Sequence, residues 1–287
     1  TGDRFDAHDF LSDVAKAGAT GVLISNQDKC PESLPAVCVA DTRIGLGVFA
    51  KAWRANHPIP LALVTGSNGK TTVKEMIASI FRAAVGDAHT LVTKGNLNND
   101  IGLPLTLLKL SSTDRLAVVE LGMNHPGETA QLADIAQANI ALINNAQREH
   151  QEFMATVAAV AQEHSDAIRA LPKDGIAVFP ADSEFGSVWH EAAAGRKIID
   201  FILQSGQSTL QAAVMGRLLN NGHVHVQTEL GSIEIQLNTL GSHNARNALA
   251  ASAVAVAAGL SLENIKQGLE SFSPVNGRMQ AKKIDPN

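Results

Sequence analysis

The 287-residue sequence is poor in cysteine and has no long run of any one character. Its two cysteines, Cys30 and Cys38, lack the spacing of a metal-ligand set and are too few for a disulfide framework. Both read as small apolar residues in a reducing compartment. There is no Lys/Arg-rich run, and a net charge of −5 gives no electrostatic footprint for nucleic acid. The longest apolar stretch, Ala248 to Leu260, is alanine-rich and too short to span a bilayer. No signal peptide, internal repeat or low-complexity tract is visible. These absences predict a cytoplasmic protein with no membrane span and no nucleic-acid partner; a monomer is expected, though no feature of the sequence fixes the oligomeric state. An initiator methionine is also missing, and Thr1-Gly2-Asp3-Arg4-Phe5-Asp6 starts as though inside a domain. The end, Lys282 to Asn287, reads as a linker, so a piece of a longer protein is expected. What remains, 45% hydrophobic and 18% charged residues, is ordinary for a globular chain long enough for two domains.

The most informative segment is Thr65-Gly66-Ser67-Asn68-Gly69-Lys70-Thr71-Thr72. It follows the apolar run Ile59 to Val64 and precedes a helix-like stretch from Val73 to Phe81. Strand, glycine-containing turn and helix form the context of a phosphate-binding loop. Gly66 and Gly69 let backbone N–H groups turn toward an anion, and the helix adds its positive end. Lys70 can reach terminal phosphates, and the Thr71 hydroxyl can bind magnesium. The general pattern wants glycine or alanine where this chain has Val64, and the bland alternative is a capped glycine turn. A nucleoside triphosphate site, formed by residues 66–72, is the expectation.

Residues 1–56 read as a small α/β piece, with helices over 9–18 and 42–56 and strands over 21–24 and 36–40. From 57 onward the two element types alternate. Strands are expected at 59–64, 90–93, 116–121, 140–143 and 176–180, and helices at 71–84, 98–109, 127–137 and 155–171. Apolar rather than alternating strands predict an α/β fold with a mostly parallel sheet covered on both faces. Residues 197–240 alternate in polarity, as in Val224-His225-Val226 and Ile233 to Leu237. They suggest antiparallel strands at the sheet edge, followed by helices over 244–258 and 262–271.

Glu120 ends the apolar run from Leu116. Ligands of open parallel sheets bind outside the C-terminal strand ends, so Glu120 is placed to hold magnesium near the loop. Its alternative is a capping or salt-bridged glutamate. The strand ending in Asn144-Asn145 leads to His150, a candidate second-metal ligand or a structural histidine. Asn244 and Asn247 share a helix face, and their amides suit an adenine edge; a well-capped helix would explain them equally. Asn96, Asn98 and Asn99 crowd a loop that either caps its own backbone or binds a polar substrate.

These motifs together resemble the Mur ligase family, ATP-dependent enzymes of peptidoglycan precursor synthesis. The family loop Thr-Gly-x-x-Gly-Lys-Thr is matched by residues 65–71, and Glu120, His150 and His243-Asn244-x-x-Asn247 fall in the expected order. Three further segments are similar to the branch that adds D-Ala-D-Ala to UDP-MurNAc-tripeptide: Gly2 to Phe10, Gly95 to Leu105, and Glu120 to Asn124 with Gly127-Glu128. The resemblance implies ATP and Mg2+, an acyl-phosphate intermediate, and Lys70, Glu120 and His150 as the catalytic set. Thr71 and Glu120 would hold one magnesium and His150 another, and Arg278 would touch the ribose. It also implies a partial UDP-sugar-binding domain (1–56), a central ATP-binding domain (57–278) and a hinge (279–287) to a further domain. Without that domain the isolated chain is expected to ligate little or nothing. Most members carry a carbamylated lysine shortly after the strand-end histidine. No lysine occurs between Lys109 and Lys173, and His164 stands at the corresponding position. Glu163 or His164 is therefore expected to substitute for it. The alternatives are a sibling amide ligase, of the folylpolyglutamate type for instance, or a nucleotide-binding remnant of the fold.

Overall fold

In the computed structural model, residues 6–149, 152–205, 209–239 and 241–273 are described. The chain first builds α1 (Leu11–Lys16), β1 (Val22–Ile24), β2 (Ala36–Cys38) and α2 (Thr42–Ala55), with β1 and β2 a parallel pair. Asp41 caps α2 by accepting the Arg43 and Ile44 amides. Polar contacts dock this helix on later parts of the chain: Lys51 pairs with Asp134 at 2.6 Å, and the Trp53 indole donates to Leu110 O at 3.0 Å. Buried Arg54 grips the connector, donating to the carbonyls of His57 and Ile59 and to Asn139 Oδ1. The connector at 57–59 is therefore held in place, at the position where the sequence suggests a boundary.

Six strands then form an all-parallel sheet: β3 (Leu61–Thr65), β4 (Thr90–Val92), β5 (Leu116–Glu120), β6 (Ile140–Ile143), β7 (Ile176–Val178) and β8 (Lys197–Ile198). Their order is β4-β5-β3-β6-β7-β8. Strands β3, β5 and β6 are buried along their whole length, as continuous apolar runs require when both faces are covered. One face carries α3 (Lys70–Val85), α8 (Ser242–Ala257) and α9 (Leu262–Ser271), packed on Val64, Val118 and Leu142. The other carries α4 (Gly102–Leu107), α5 (Glu128–Ala136), α6 (Val157–Arg169) and α7 (Gly186–Ala193), on Leu63, Val119 and Ala141. The chain leaves β3 for β4 and β5 on one side and returns to β6 on the other. The switch point, and hence the crevice for a ligand, lies at the C-terminal end of β3.

The alternating segments after 200 do not simply lengthen this sheet. β9 (Phe201–Gln204), β10 (Val214–Leu218), β11 (Val224–Thr228) and β12 (Gly231–Ile235) form a second sheet, parallel between β9 and β10 and antiparallel beyond. It meets the first at the Pro180–Phe201 bridge. The inward side chains Val214, Val224, Val226 and Ile235 are wholly buried in the core that holds α8, so the sheet turns onto that helix. Helix α7 falls where the sequence suggests no element, and α4 is shorter than the expected 98–109.

Candidate active site

The phosphate loop leaves β3 under tight steric control. Gly66 has φ +130°, and a Cβ there would meet the Asn145 backbone at 3.0 Å. Gly69 has φ +77°, and a Cβ would lie 2.9 Å from Asn144 Nδ2 and 3.0 Å from Asn247 Oδ1. Both positions need a residue without a side chain. The strand-end asparagines of β6 fasten the loop: Asn145 accepts from the amides of Ser67 (at its carbonyl, 3.1 Å) and Asn68 (at Oδ1, 2.9 Å). Asn144 and Asn145 both donate to Asn68 O, at 2.8 and 2.9 Å. With those two loop amides engaged, an incoming phosphate is left the amides at the start of α3, which have no helical acceptor. Lys70, the first residue of α3, folds back onto Gly66 O at 2.5 Å.

On the β5 side, Glu120 is 2% exposed. Its Oε1 accepts from Asn98 Nδ2 at 2.9 Å, while Oε2 is buried with no hydrogen-bond partner among the described residues. The Thr71 hydroxyl, also buried, makes no hydrogen bond among the described residues. An orphaned carboxylate oxygen and a free hydroxyl beside a phosphate loop are the donor types that magnesium takes, so the residues present fit that ion. The Glu120 amide donates to Thr93 Oγ1 at 3.0 Å, and the fully buried Lys74 donates to Thr93 O at 2.8 Å. Lys74 thus ties α3 to the segment that positions Glu120.

Beside the phosphate loop lies a cavity of about 940 Å³. Asn68, Gly69, Thr72, Asn244 and Asn247 line it, joined by Asn144, Phe185 and Phe272. A flat aromatic base fits a cavity of this size with convergent amides. Buried Asn247 accepts from Asn144 Nδ2 at 3.2 Å, so α8 is tied to the loop through β6. Arg246 reaches Asp182, which follows β7, with two contacts of 2.9 and 2.5 Å at the cavity wall.

The expected loop residues and asparagines therefore meet around one crevice. His150 and Arg278 lie outside the described residues, as do Gly2 to Phe5 and the hinge over 279–287. Asn98 comes to the site, holding Glu120. Exposed Asn99 caps the start of α4, accepting from Gly102 N at 2.8 Å, and Asn96 is exposed in the same loop. Glu163 is not near the loop: its carboxylate accepts the amides of Gly127 and Thr129 at the start of α5, a capping role that fixes its direction. His164 does reach the site. Its Nε2 lies 2.9 Å from Glu149 Oε1 and its Nδ1 3.0 Å from Thr65 Oγ1.

Glu149 was not among the candidates that the sequence suggests. Its Oε1 also accepts from Ser67 Oγ at 2.9 Å, and its Oε2 stands 3.8 Å from Lys70 Nζ. Burial works against its charge, but hydrogen bonding from His164 and Ser67 and the Lys70 charge outweigh it and hold the carboxyl below its ordinary value. Asp182 was missed as well. The only signal for either was an acid in the loop that follows a parallel strand, weaker than that of Glu120, which ends one.

A parallel sheet with a glycine loop, a lysine at the head of the following helix and a buried acid at its switch point is the architecture of the phosphate-loop class of proteins. The Mur ligase middle domain matches residues 64–255, and the chain belongs to the Mur ligase family. It is 38% identical over 292 residues to the UDP-N-acetylmuramoyl-tripeptide–D-alanyl-D-alanine ligase of Haemophilus influenzae, covering 100% of this chain and 62% of that protein. The ligase of the same name from Escherichia coli is 39% identical over 278 residues, covering 97% of this chain and 60% of that protein. A crystal structure of MurF from Acinetobacter baumannii superposes with a TM-score of 0.86 at 34% identity, over 98% of this chain and 60% of that one. The chain thus spans about 60% of the length of these relatives.

Proposed function

We propose that this chain is the nucleotide-binding part of an ATP-dependent ligase that joins D-Ala-D-Ala to the tripeptide of UDP-MurNAc-tripeptide in the cytoplasm. Residues 1–56 belong to the UDP-sugar-binding domain, 57–278 to the central ATP-binding domain, and 279–287 to a hinge. The observation that carries the reading is the orphaned Glu120 Oε2 beside the phosphate loop, because nucleotide chemistry with magnesium requires such an acid and fold stability does not. The names of the relatives at 38% and 39% identity support the choice of substrates.

The carboxylate of the tripeptide is a poor electrophile, and phosphorylation gives it a leaving group. One of its oxygens attacks the γ-phosphorus of ATP, the bond from that phosphorus to the β–γ bridging oxygen breaks, and ADP departs. The amine of D-Ala-D-Ala then attacks the acyl carbon, the carbon–oxygen bond to phosphate breaks, and the amine gives up a proton. Lys70 turns from Gly66 O to the terminal phosphates and stabilises the charge that moves onto the bridging oxygen. Thr71 and Glu120 would hold one magnesium and His150 another, and the metal supplies further positive charge when bound. The amides of Asn244 and Asn247 orient the base, and the loop tied down by Asn144 and Asn145 fixes the phosphates without reorganisation. Asn98 keeps Glu120 pointed at the loop.

The test is phosphate release by the full-length protein with ATP, Mg2+ and UDP-MurNAc-tripeptide, with and without D-Ala-D-Ala. Release that requires both substrates is expected. Release with another amine in place of D-Ala-D-Ala would mark a sibling amide ligase, and ATP binding without release would mark a binding protein.

A further inference from the structure

Glu128 and His125 form a dyad that the proposed mechanism leaves without a role. They belong to the segment that follows β5, a few residues beyond Glu120. His125 Nδ1 lies 2.8 Å from Glu128 Oε1, and Glu128 Oε2 accepts the Asn124 amide at 2.7 Å. Burial opposes the charge of Glu128, but the Asn124 amide and His125 outweigh it and hold its carboxyl below the ordinary value. An ionised carboxylate can only accept, so Nδ1 carries the proton, and in the neutral ring Nε2 then keeps its lone pair. That nitrogen makes no hydrogen bond among the described residues, and the side chain is 52% exposed.

The turn that presents this ring is held on several sides. Glu128 N donates to His125 O at 3.3 Å, and the amides of Gly127 and Thr129 are taken by buried Glu163 on α6. Phe153, from the segment that follows β6, packs on the His125 ring at a centroid distance of 4.3 Å. Strands β5 and β6 flank β3, so the contact joins the segments on either side of the strand end from which the phosphate loop starts. Capping α5 needs only the Glu128 carboxylate on Asn124 N. It does not need an imidazole fixed from across the sheet with one nitrogen open. The ligation step does need a group of this kind, because the attacking amine has to give up a proton as its nitrogen bonds to the acyl carbon. Lys70 is a cation, His164 has both ring nitrogens committed, and His243 stands at the base cavity.

We propose that His125, oriented by Glu128, is the catalytic base of the second step, taking a proton at Nε2 from the amine as it attacks the acyl phosphate. The inference rests on the proposed ligase function. The amine enters with its ammonium proton already lost to water, and its lone pair forms the carbon–nitrogen bond. One of its two remaining protons passes to Nε2, and the carbon–oxygen bond breaks with the electron pair leaving on phosphate. The half-exposed ring then returns its proton to solvent. Glu128 is a positioning residue: it fixes the tautomer and favours the imidazolium that forms.

The experiment separates the two steps in the full-length protein with ATP, Mg2+ and UDP-MurNAc-tripeptide. The amine is either D-Ala-D-Ala or hydroxylamine, which is unprotonated at neutral pH and captures an acyl phosphate as the hydroxamate without a base. His125→Gln, whose amide still donates to Glu128, should lower kcat for ligation about 100- to 10,000-fold. The KM for D-Ala-D-Ala, hydroxamate formation, and binding of the non-hydrolysable ATP analogue AMPPNP should change little. Glu128→Gln can hold the ring in the wrong tautomer and should slow the same step at least about tenfold. Imidazole should restore part of the ligation by His125→Ala, which serves if the glutamine variant does not fold. Ligation by His125→Gln at the wild-type rate, a raised KM with kcat unchanged, or loss of the hydroxamate together with ligation would each overturn the proposal. Failure of the wild type to ligate D-Ala-D-Ala would instead overturn the ligase reading, and the inference with it.

Discussion

Replacing Glu120 by glutamine should separate what this residue does for binding from what it costs the fold. Among the described residues one carboxylate oxygen has a single donor, Asn98 Nδ2, and the other is buried without any. An unsatisfied buried polar group costs about 1–3 kcal/mol, and more when charged. The amide keeps the volume and can still accept from Asn98, while a neutral NH2 takes the place of the orphaned oxygen. Glu120→Gln is therefore expected to leave nucleotide-free stability unchanged or raise it by up to about 2 kcal/mol, read by urea denaturation. Binding should respond in the opposite direction. A nucleotide present at 100 times its Kd stabilises by about 2.7 kcal/mol, which for a chain of this size raises Tm by roughly 5–10 °C. The variant should lose most of the Mg2+-dependent part of that rise while keeping the part seen in EDTA. A loss of more than about 1 kcal/mol without nucleotide, or a full Mg2+-dependent rise, would refute the reasoning, since either would make Glu120 a structural acid.

Gly69→Ala should destabilise by about 1–2 kcal/mol, from the left-handed backbone and the contacts a Cβ makes with Asn144 and Asn247; denaturation and AMPPNP titration should deteriorate together. Asp182 and Arg246, each 33% exposed, should couple by only about 0.5–1 kcal/mol in a double-mutant cycle with Asp182→Asn and Arg246→Gln. A pH series tests Glu149. Its folded pKa lies below the ordinary 4.5, so its contribution is present above that value and is lost as pH falls through the lower folded value. Glu149→Gln should flatten the acid limb of the stability curve below about pH 5 and leave the neutral limb alone; an unchanged acid limb would contradict the network.

The loop was legible because its chemistry is local. Gly66, Gly69, Lys70 and Thr71 lie within six residues, and the backbone conformation they require is carried by glycine itself. Strands β3, β5 and β6 were legible from continuous apolar runs, and Glu120 from its place at the end of one. The second sheet was only half legible: alternation in 224–226 and 233–237 marks a covered and an open face, but not which element does the covering. Here α8 does, through Val214, Val224 and Val226. Glu149 was out of reach because its partners Ser67 and His164 sit 82 and 15 residues away and meet it only once β6 pairs with β3. Glu163 and His164 were equivalent by position after the lysine-free stretch. Adjacent helical residues point about 100° apart, so only one of them can face the loop, and packing of α6 against β3 and α5 decides which. Helix α4 was overestimated because asparagines 98 and 99 look like part of a helix start, whereas one holds Glu120 and the other caps.

The two ends of the crevice are fastened to the same short loop, so binding at one end should be felt at the other. On the base side, Asn247 reaches Asn144, which holds Asn68 O. On the phosphate side, Glu149 holds Ser67, whose hydroxyl also accepts the Gln147 amide. Ser67 and Asn68 are neighbours, with their amides taken by Asn145 between the two anchors. A loop pinned in this way gives up little conformational freedom when phosphates arrive, so its cost is met in folding rather than in binding. The same pinning couples the ends: a base that orders Asn247 tightens Asn68, and with it the backbone from which Lys70 and Thr71 start. Loss of the Asn247 amide should therefore weaken pyrophosphate, which carries no base, as well as ATP. If Asn247→Ala weakened ATP and left pyrophosphate binding unchanged, the two ends would be independent and the anchors merely parallel.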